Sequence, residues 1–248
     1  MNLLAPARRF DPTCPELIDD PGTDRSLVQE ELRILERMNR LLGGCGLVLQ
    51  YARRLLRSNR LASLSVLDLG TGAADIPRAM AAWAKRSQLS ATITAVDRNP
   101  EVLRVAQEAC RGWPEIRVEQ HDLRDLPYAA NSYDLVCCSL TLHHLERAEA
   151  VQLLGRMQQI ARIGYVVSDL RRNWLAVWLA ELLARTVITS EVLRHDGTQS
   201  CRAAFTVEEL RTMAQEAGLK HFRIKRHHGV FRMVLEGRNE PQTKVNHG

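Results

Sequence analysis

The sequence contains no apolar run long enough to cross a bilayer, which takes about 20 residues. The nearest approach, Trp174 to Ala184, is interrupted by Glu181. A secretory leader is also missing, because Met1 to Ala5 is followed at once by Pro6, Arg8 and Arg9 rather than by an apolar stretch. These two absences predict a cytoplasmic protein with no transmembrane segment. Cysteine is too sparse for a disulfide framework, at six in 248 residues. The cysteine spacing fits no zinc template, so no metal is expected. Cys137 and Cys138 are adjacent in an apolar stretch and read as small core residues of a strand. Strong charge of one sign is lacking too: the net charge is +5 and the pI about 9.1. That balance is compatible with nucleic acid or an anionic substrate, but the arginines are spread along the chain. The densest basic stretch, Arg223 to His228, reads as the solvated face of a strand.

What is present is the balance of a soluble globular domain, 45% hydrophobic and 25% charged. Residues 1–23 hold Pro6, Pro12, Pro15 and Pro21 and read as an irregular arm. From Asp24 to Arg57 apolar residues recur at helical spacing, broken at Gly43, Gly44 and Gly46. This pattern predicts two helices forming a lid over residues 24–60. Strands and helices then alternate through a main domain spanning 61–237, and 238–248 read as a flexible tail. Predicted strands cover 65–69, 91–96, 116–119, 132–139 and 164–168, with a closing antiparallel pair around Gly229. Predicted helices cover 75–86, 100–111 (capped by Asn99), 146–162, 173–189 and a segment capped by Thr206 with Glu209. The helix at Trp174 to Ala184 is expected to be buried. Such alternation implies an α/β three-layer sandwich around a mostly parallel, seven-stranded, Rossmann-like sheet. In such sheets ligands sit beyond the carboxyl ends of the strands.

Those strand ends carry a consistent chemistry. The first runs Val66-Leu67-Asp68-Leu69-Gly70-Thr71-Gly72-Ala73-Ala74-Asp75, where Gly70 and Gly72 permit a tight turn and close backbone approach to a ligand. The second ends in Asp97-Arg98, and a carboxylate there can accept from two vicinal ribose hydroxyls. The third is followed by Asp122-Leu123, where an acid can take the exocyclic amine of adenine. The set describes a nucleoside pocket without a phosphate-binding lysine. A nicotinamide dinucleotide fits it poorly, because Asp75 stands where the pyrophosphate would lie at the helix N-terminus.

The stretch from about Ser65 to Leu145 resembles class I S-adenosylmethionine-dependent methyltransferases. It carries Asp68, Gly70 and Gly72 of the loop, with Ala74 at the usual third glycine. It also carries Asp97, Asp122-Leu123, strand four through Ser139, and Leu142-His143-His144-Leu145. More narrowly it is similar to bacterial small-molecule methyltransferases near the ubiquinone and menaquinone methylases, some of them associated with type III polyketide synthases. The cues are Met38-Asn39-Arg40-Leu41-Leu42-Gly43-Gly44, Ser168-Asp169-Leu170-Arg171-Arg172 and Arg194-His195-Asp196-Gly197. The resemblance implies S-adenosylmethionine as cofactor, held by Asp68, Gly70, Thr71, Gly72, Asp75, Asp97, Arg98, Asp122, Leu123 and Ser139. It also implies a small-molecule acceptor, lipophilic in the reading that makes the Trp174 segment an apolar wall. Three histidines are candidates for acceptor base or ligand: His195, in a polar loop expected to fold over the pocket, and His143 and His144, after strand four. Nucleic acid is not expected as the substrate. Ser139-Leu140-Thr141-Leu142 occupies the place of the Asn/Asp-Pro-Pro-aromatic tetrad, and no Pro-Cys dipeptide occurs. A cofactor-binding module without turnover remains the alternative from another class.

Overall fold

The computed structural model describes residues 5–11, 13, 16, 18, 24–41, 43–57, 59, 61–186 and 191–240. Residues 241–248 of the expected tail and much of the expected arm lie outside the described residues. The chain runs α1 (Arg25–Leu41), α2 (Gly44–Leu56), β1 (Ser63–Leu69), α3 (Asp75–Arg86), β2 (Ser90–Asp97), α4 (Pro100–Ala109), β3 (Ile116–Gln120), β4 (Tyr133–Ser139) and α5 (Arg147–Ile160). It continues through β5 (Ala161–Leu170), α6 (Trp174–Thr186), α7 (Glu191–Ala203), α8 (Val207–Glu216), β6 (Phe222–His227) and β7 (Arg232–Arg238).

The strands form one seven-stranded sheet in the order β3-β2-β1-β4-β5-β7-β6. All neighbours pair in parallel except β7, which is antiparallel to both β5 and β6. Chain order reverses beside β1, so the switch point lies between β1 and β4. The central strands are apolar without alternation because helices cover both faces. Leu135, Val136, Cys137 and Cys138 of β4 are all fully buried, and Cys137 and Cys138 serve as core, as expected. One core layer joins the sheet to α5 and α8 through Leu153, Leu154, Met157, Leu210 and Met213. The other joins it to α2, α3 and α4 through Val48, Leu55, Met80, Ala81 and Ala106.

Local chemistry explains most element ends. Asn99 caps α4 by accepting from the Glu101 amide at 2.9 Å, with Pro100 at the first turn. Thr206 and Glu209 form a reciprocal capping box at the start of α8. The basic residues of the edge strand β6 are exposed, Arg223 and Lys225 on one face and Arg226 on the other, where it pairs with Glu208 at 2.7 Å.

Three expectations are corrected. Arg194 to Gly197 is not a loop but part of helix α7. Tertiary contacts there override the glycine: the Asp196 carboxylate accepts from the Ile18 amide at 3.2 Å, and Ser200 Oγ donates to the Glu16 carboxylate. Helix α5 stops at Ile160, and Ala161 and Arg162 open β5 instead. Ala161 pairs with Tyr133 across the sheet, and the Arg162 guanidinium donates to Asp134 at 2.7 Å. Helix α6 is not an ordinary buried helix, since Trp174, Leu175, Trp178 and Leu182 are exposed while Ala176 and Val177 are buried. Among the described residues no helix is long and apolar enough to cross a membrane.

Candidate active site

A cleft, part of it open to solvent, lies beyond the carboxyl ends of β1 to β4. That is the place expected of a cofactor site in such a sheet. Its floor is the turn after β1. Gly70 and Gly72 have φ of +67° and +54°, which glycine reaches without penalty. A Cβ on Gly70 would stand 2.3 Å from Thr141 Oγ1, so the turns after β1 and β4 can approach this closely only through glycine. The Thr71 amide donates to the Val96 carbonyl at 2.9 Å and folds the turn back over β2. Ala74, at the place of a third glycine, is left-handed at φ +56° and leads into α3. That conformation costs a non-glycine residue about 1–2 kcal/mol.

The carboxylates sit at successive strand ends. Asp97 Oδ2 accepts from the Gly72 amide at 3.2 Å and Oδ1 from the Asn99 amide at 3.1 Å, which locks β2 to the glycine turn. Asp122 accepts from the Arg124 amide at 2.9 Å and pairs with its guanidinium at 3.1 Å. Asp68 is buried beneath the turn and accepts from Thr71 Oγ1 at 2.8 Å, while its Oδ1 has no hydrogen-bond partner among the described residues. Burial pushes its carboxyl up to about 8; the Thr71 hydroxyl opposes this, and the Asp75 and Asp97 carboxylates add to it. Asp75 opens α3. Its carboxylate accepts from Cys45 Sγ at 3.0 Å and from Asn39 Nδ2, while Arg232 donates to Asn39 Oδ1 at 2.7 Å. A residue of α1 thus ties the cleft turn to β7.

Every cofactor candidate read from the sequence lines the cleft except Asp68, which supports it from below. The opposite wall is α1, through Leu32, Leu35, Glu36 and Asn39. Of the expected two-helix lid, α1 overhangs the site, whereas α2 buries its apolar face in the sheet core. The histidines part company. His144 lines the cleft. His143 is buried behind it, in a 3₁₀ turn at Leu142–His144; its Nδ1 lies 2.6 Å from Asp169 Oδ1, and its amide donates to Asp169 Oδ2 at 3.1 Å. Burial alone would lower the His143 pKa, but Asp169 and then Glu16 raise it above the usual value. Asp169 is held low by His143 against the cost of its own burial. His195 is not brought to the cleft. It lies on α7, 2.8 Å from Asp196 Oδ1, and faces a separate depression with Arg9, Arg185 and Arg202.

Sequence reasoning assigned no role to Glu16, Glu36, Thr141 or Asp169, and none to Asn39 beyond its place in a resemblance. Asn39 and Asp169 fall inside quoted motifs, which was their only signal. Glu16 offered none.

The residues fit S-adenosylmethionine. The glycine turn leaves no room for a Cβ at Gly70, carboxylates close two strand ends, and Asp75 keeps phosphate from the α3 N-terminus. Residues 66–164, about two fifths of the chain, match the model of the methyltransferase domain family. Three solved structures share the fold. A SAM-dependent methyltransferase from Aquifex aeolicus is 16% identical over 85% of this chain and 97% of its own, with a TM-score of 0.59. The plantazolicin methyltransferase BpumL in complex with SAH is 14% identical over 91% and 93%, at 0.65. The magnesium protoporphyrin IX methyltransferase ChlM from Synechocystis PCC 6803 with bound SAH is 17% identical over 90% and 91%, at 0.57. No curated protein matches the sequence. By the match to the domain family residues 66–164 are a methyltransferase domain, and the sheet order and the cleft at its strand ends are those of the class I methyltransferase fold.

Proposed function

We propose that this enzyme methylates an oxygen of a small phenolic, quinone-like or polyketide acceptor in the cytoplasm. The observation that carries the reading is that His144 shares one cleft wall with Ser139, Leu140 and Thr141, facing the turn assigned to the cofactor. S-adenosylmethionine supplies a methyl group already activated on a sulfonium. The protein's work is then to place the acceptor oxygen in line and to take or hold its proton. In this reading Asp97 takes the ribose hydroxyls, Asp122 and Leu123 the adenine, and Gly70 to Gly72 the amino-acid end. Arg98, Asp75 and Ser139 line the same space, and Asp68 holds the turn beneath them. His144 holds the acceptor hydroxyl, and His143, clamped by Asp169, positions it. His195 belongs to the α6–α7 depression and is not assigned to the reacting atoms. A lipophilic acceptor accords with the exposed Trp174, Leu175, Trp178 and Leu182 on α6, which leaves the sheet edge that carries the cleft.

The test is calorimetric titration with S-adenosylmethionine and S-adenosylhomocysteine, alongside Asp97→Ala, followed by an acceptor screen of phenols, quinones and alkylresorcinols. Loss of charge-assisted hydrogen bonds predicts at least about tenfold weaker cofactor binding in the variant. Turnover of a phenol by the wild type, lost in His144→Ala, supports the assignment. Turnover of RNA instead, or cofactor binding with no turnover across the screen, overturns it.

A further inference from the structure

Glu16, His143 and His144 converge at the rim of the cleft, and one potential ligand atom from each lies within 4.8 Å of the other two. His143 Nε2 is 3.9 Å from Glu16 Oε1, and His144 Nε2 is 3.7 Å from Glu16 Oε2. These separations are too long for hydrogen bonds. They match two atoms that ligate one ion at ~2.0–2.2 Å each, which stand about 3–4 Å apart.

Two independent features point to a cation. The first is the orientation of His143. Asp169 Oδ1 holds Nδ1 at 2.6 Å, so Nε2 is turned toward Glu16 Oε1 in a site where both side chains are at most 10% exposed. A carboxylate buried there calls for a positive charge beside it, which a proton on Nε2, or a metal ion in place of that proton, supplies. A carboxylate behind the distal nitrogen is also the usual support of a metal-bound histidine. The second is the anchoring of Glu16. Ser200 Oγ donates to its carboxylate. Two residues on, the Ile18 amide donates to Asp196 Oδ2 at 3.2 Å, and the Ile18 carbonyl accepts from Asn99 Nδ2 at 2.9 Å. The arm is thus held so that the Glu16 carboxylate faces both imidazoles.

We propose that Glu16, His143 and His144 bind a divalent transition-metal ion through two imidazole nitrogens and one carboxylate, a donor set suited to zinc and its neighbours. Three protein ligands leave a fourth position open, and His144 places it on the cleft. An acceptor hydroxyl can occupy that position, where the ion lowers its pKa. The site deepens the reading of this wall as the seat of the acceptor, but its readout is independent of turnover. Cysteine and histidine spacing could not reveal it, because the third ligand comes from the N-terminal arm, far from the histidine pair in sequence.

Chelator-treated full-length protein is titrated with Co²⁺ and followed by visible absorption, then with Zn²⁺ as competitor. The expected result is saturation at one ion per chain, displaced by Zn²⁺. Glu16→Gln and His144→Asn are each expected to weaken binding by at least about tenfold, whereas His221→Asn, on the far edge of the sheet, leaves it unchanged. S-adenosylmethionine titration of each variant reports whether the cleft is intact, and if Glu16→Gln fails to fold, His144→Asn decides alone. Absence of saturable Co²⁺ absorption in the wild type, or binding that neither variant weakens, overturns the proposal. Ion binding without cofactor binding would overturn the function proposed above and leave the metal site standing.

Discussion

Asp68 sets cofactor binding against folding, and Asp68→Asn separates the two. The carboxyl is fully buried, and its pKa is pushed up to about 8, chiefly by that burial. Below about pH 4 the group is protonated in both the folded and the unfolded chain. Between about pH 4 and pH 8 the unfolded chain has released the proton and the folded chain retains it, so stability falls as pH rises through this window. Four units at ~1.4 kcal/mol per unit bound the penalty at roughly 5 kcal/mol. Relaxation around the group leaves an expected effect of roughly 1–3 kcal/mol. Asparagine keeps the shape and still accepts from Thr71 Oγ1, but has no proton to lose. Each kcal/mol is worth about 2–4 °C in a chain of this size. Scanning calorimetry of the cofactor-free protein should therefore show Asp68→Asn melting higher by several degrees near pH 7.5, with a smaller gain near pH 5. Affinity for the cationic cofactor should fall at the same time. A lower melting temperature near pH 7.5, or an equal gain at both pH values, would refute the reasoning, because either result means the carboxyl is not held protonated by burial.

Gly70→Ala adds a Cβ 2.3 Å from Thr141 Oγ1 at φ +67°. It should lower stability by a few kcal/mol and weaken the cofactor, measured by urea unfolding and calorimetry. Asp169→Asn breaks a buried pair and should cost about 3 kcal/mol at neutral pH. In the wild type, the raised pKa of His143 gives stability that is full below about pH 6.5 and lost as pH rises through the folded value. The lowered pKa of Asp169 gives stability that is present above about pH 4 and lost as pH falls through its folded value. Denaturation across pH should therefore show both slopes flattened in the variant, and an unchanged profile would count against the pair. Asn39→Ala leaves the buried Arg232 without that acceptor and unties α1 from Asp75. It should cost about 1–3 kcal/mol and speed proteolysis within α1, as read by limited digestion.

Apart from α7, the order of strands and helices was legible because those elements carry local signatures: the apolar run of Val66 to Leu69, the Asn99 and Thr206 caps, the glycines of the first turn. The cofactor residues were legible for a related reason. In a parallel sheet the strand ends that face the ligand are fixed once the strands are known, so Asp97 and Asp122 could be placed without coordinates. The three histidines could not be sorted in this way. His143 and His144 are adjacent in the chain, yet one is buried against Asp169 and the other lines the cleft. His195 reads as part of a loop folding over the pocket but is carried off on a helix that Asp196 and Ser200 stitch to the arm. The sequence by itself determined the parallel sheet and the cofactor-bearing strand ends, because short-range periodicity and turn chemistry dictate them. Only the tertiary structure decided which polar side chains meet: Asn39 with Asp75 and Arg232, and Glu16 with His143 and His144. Those pairings join segments far apart in the chain, and their energy comes from shared burial, which no local pattern records.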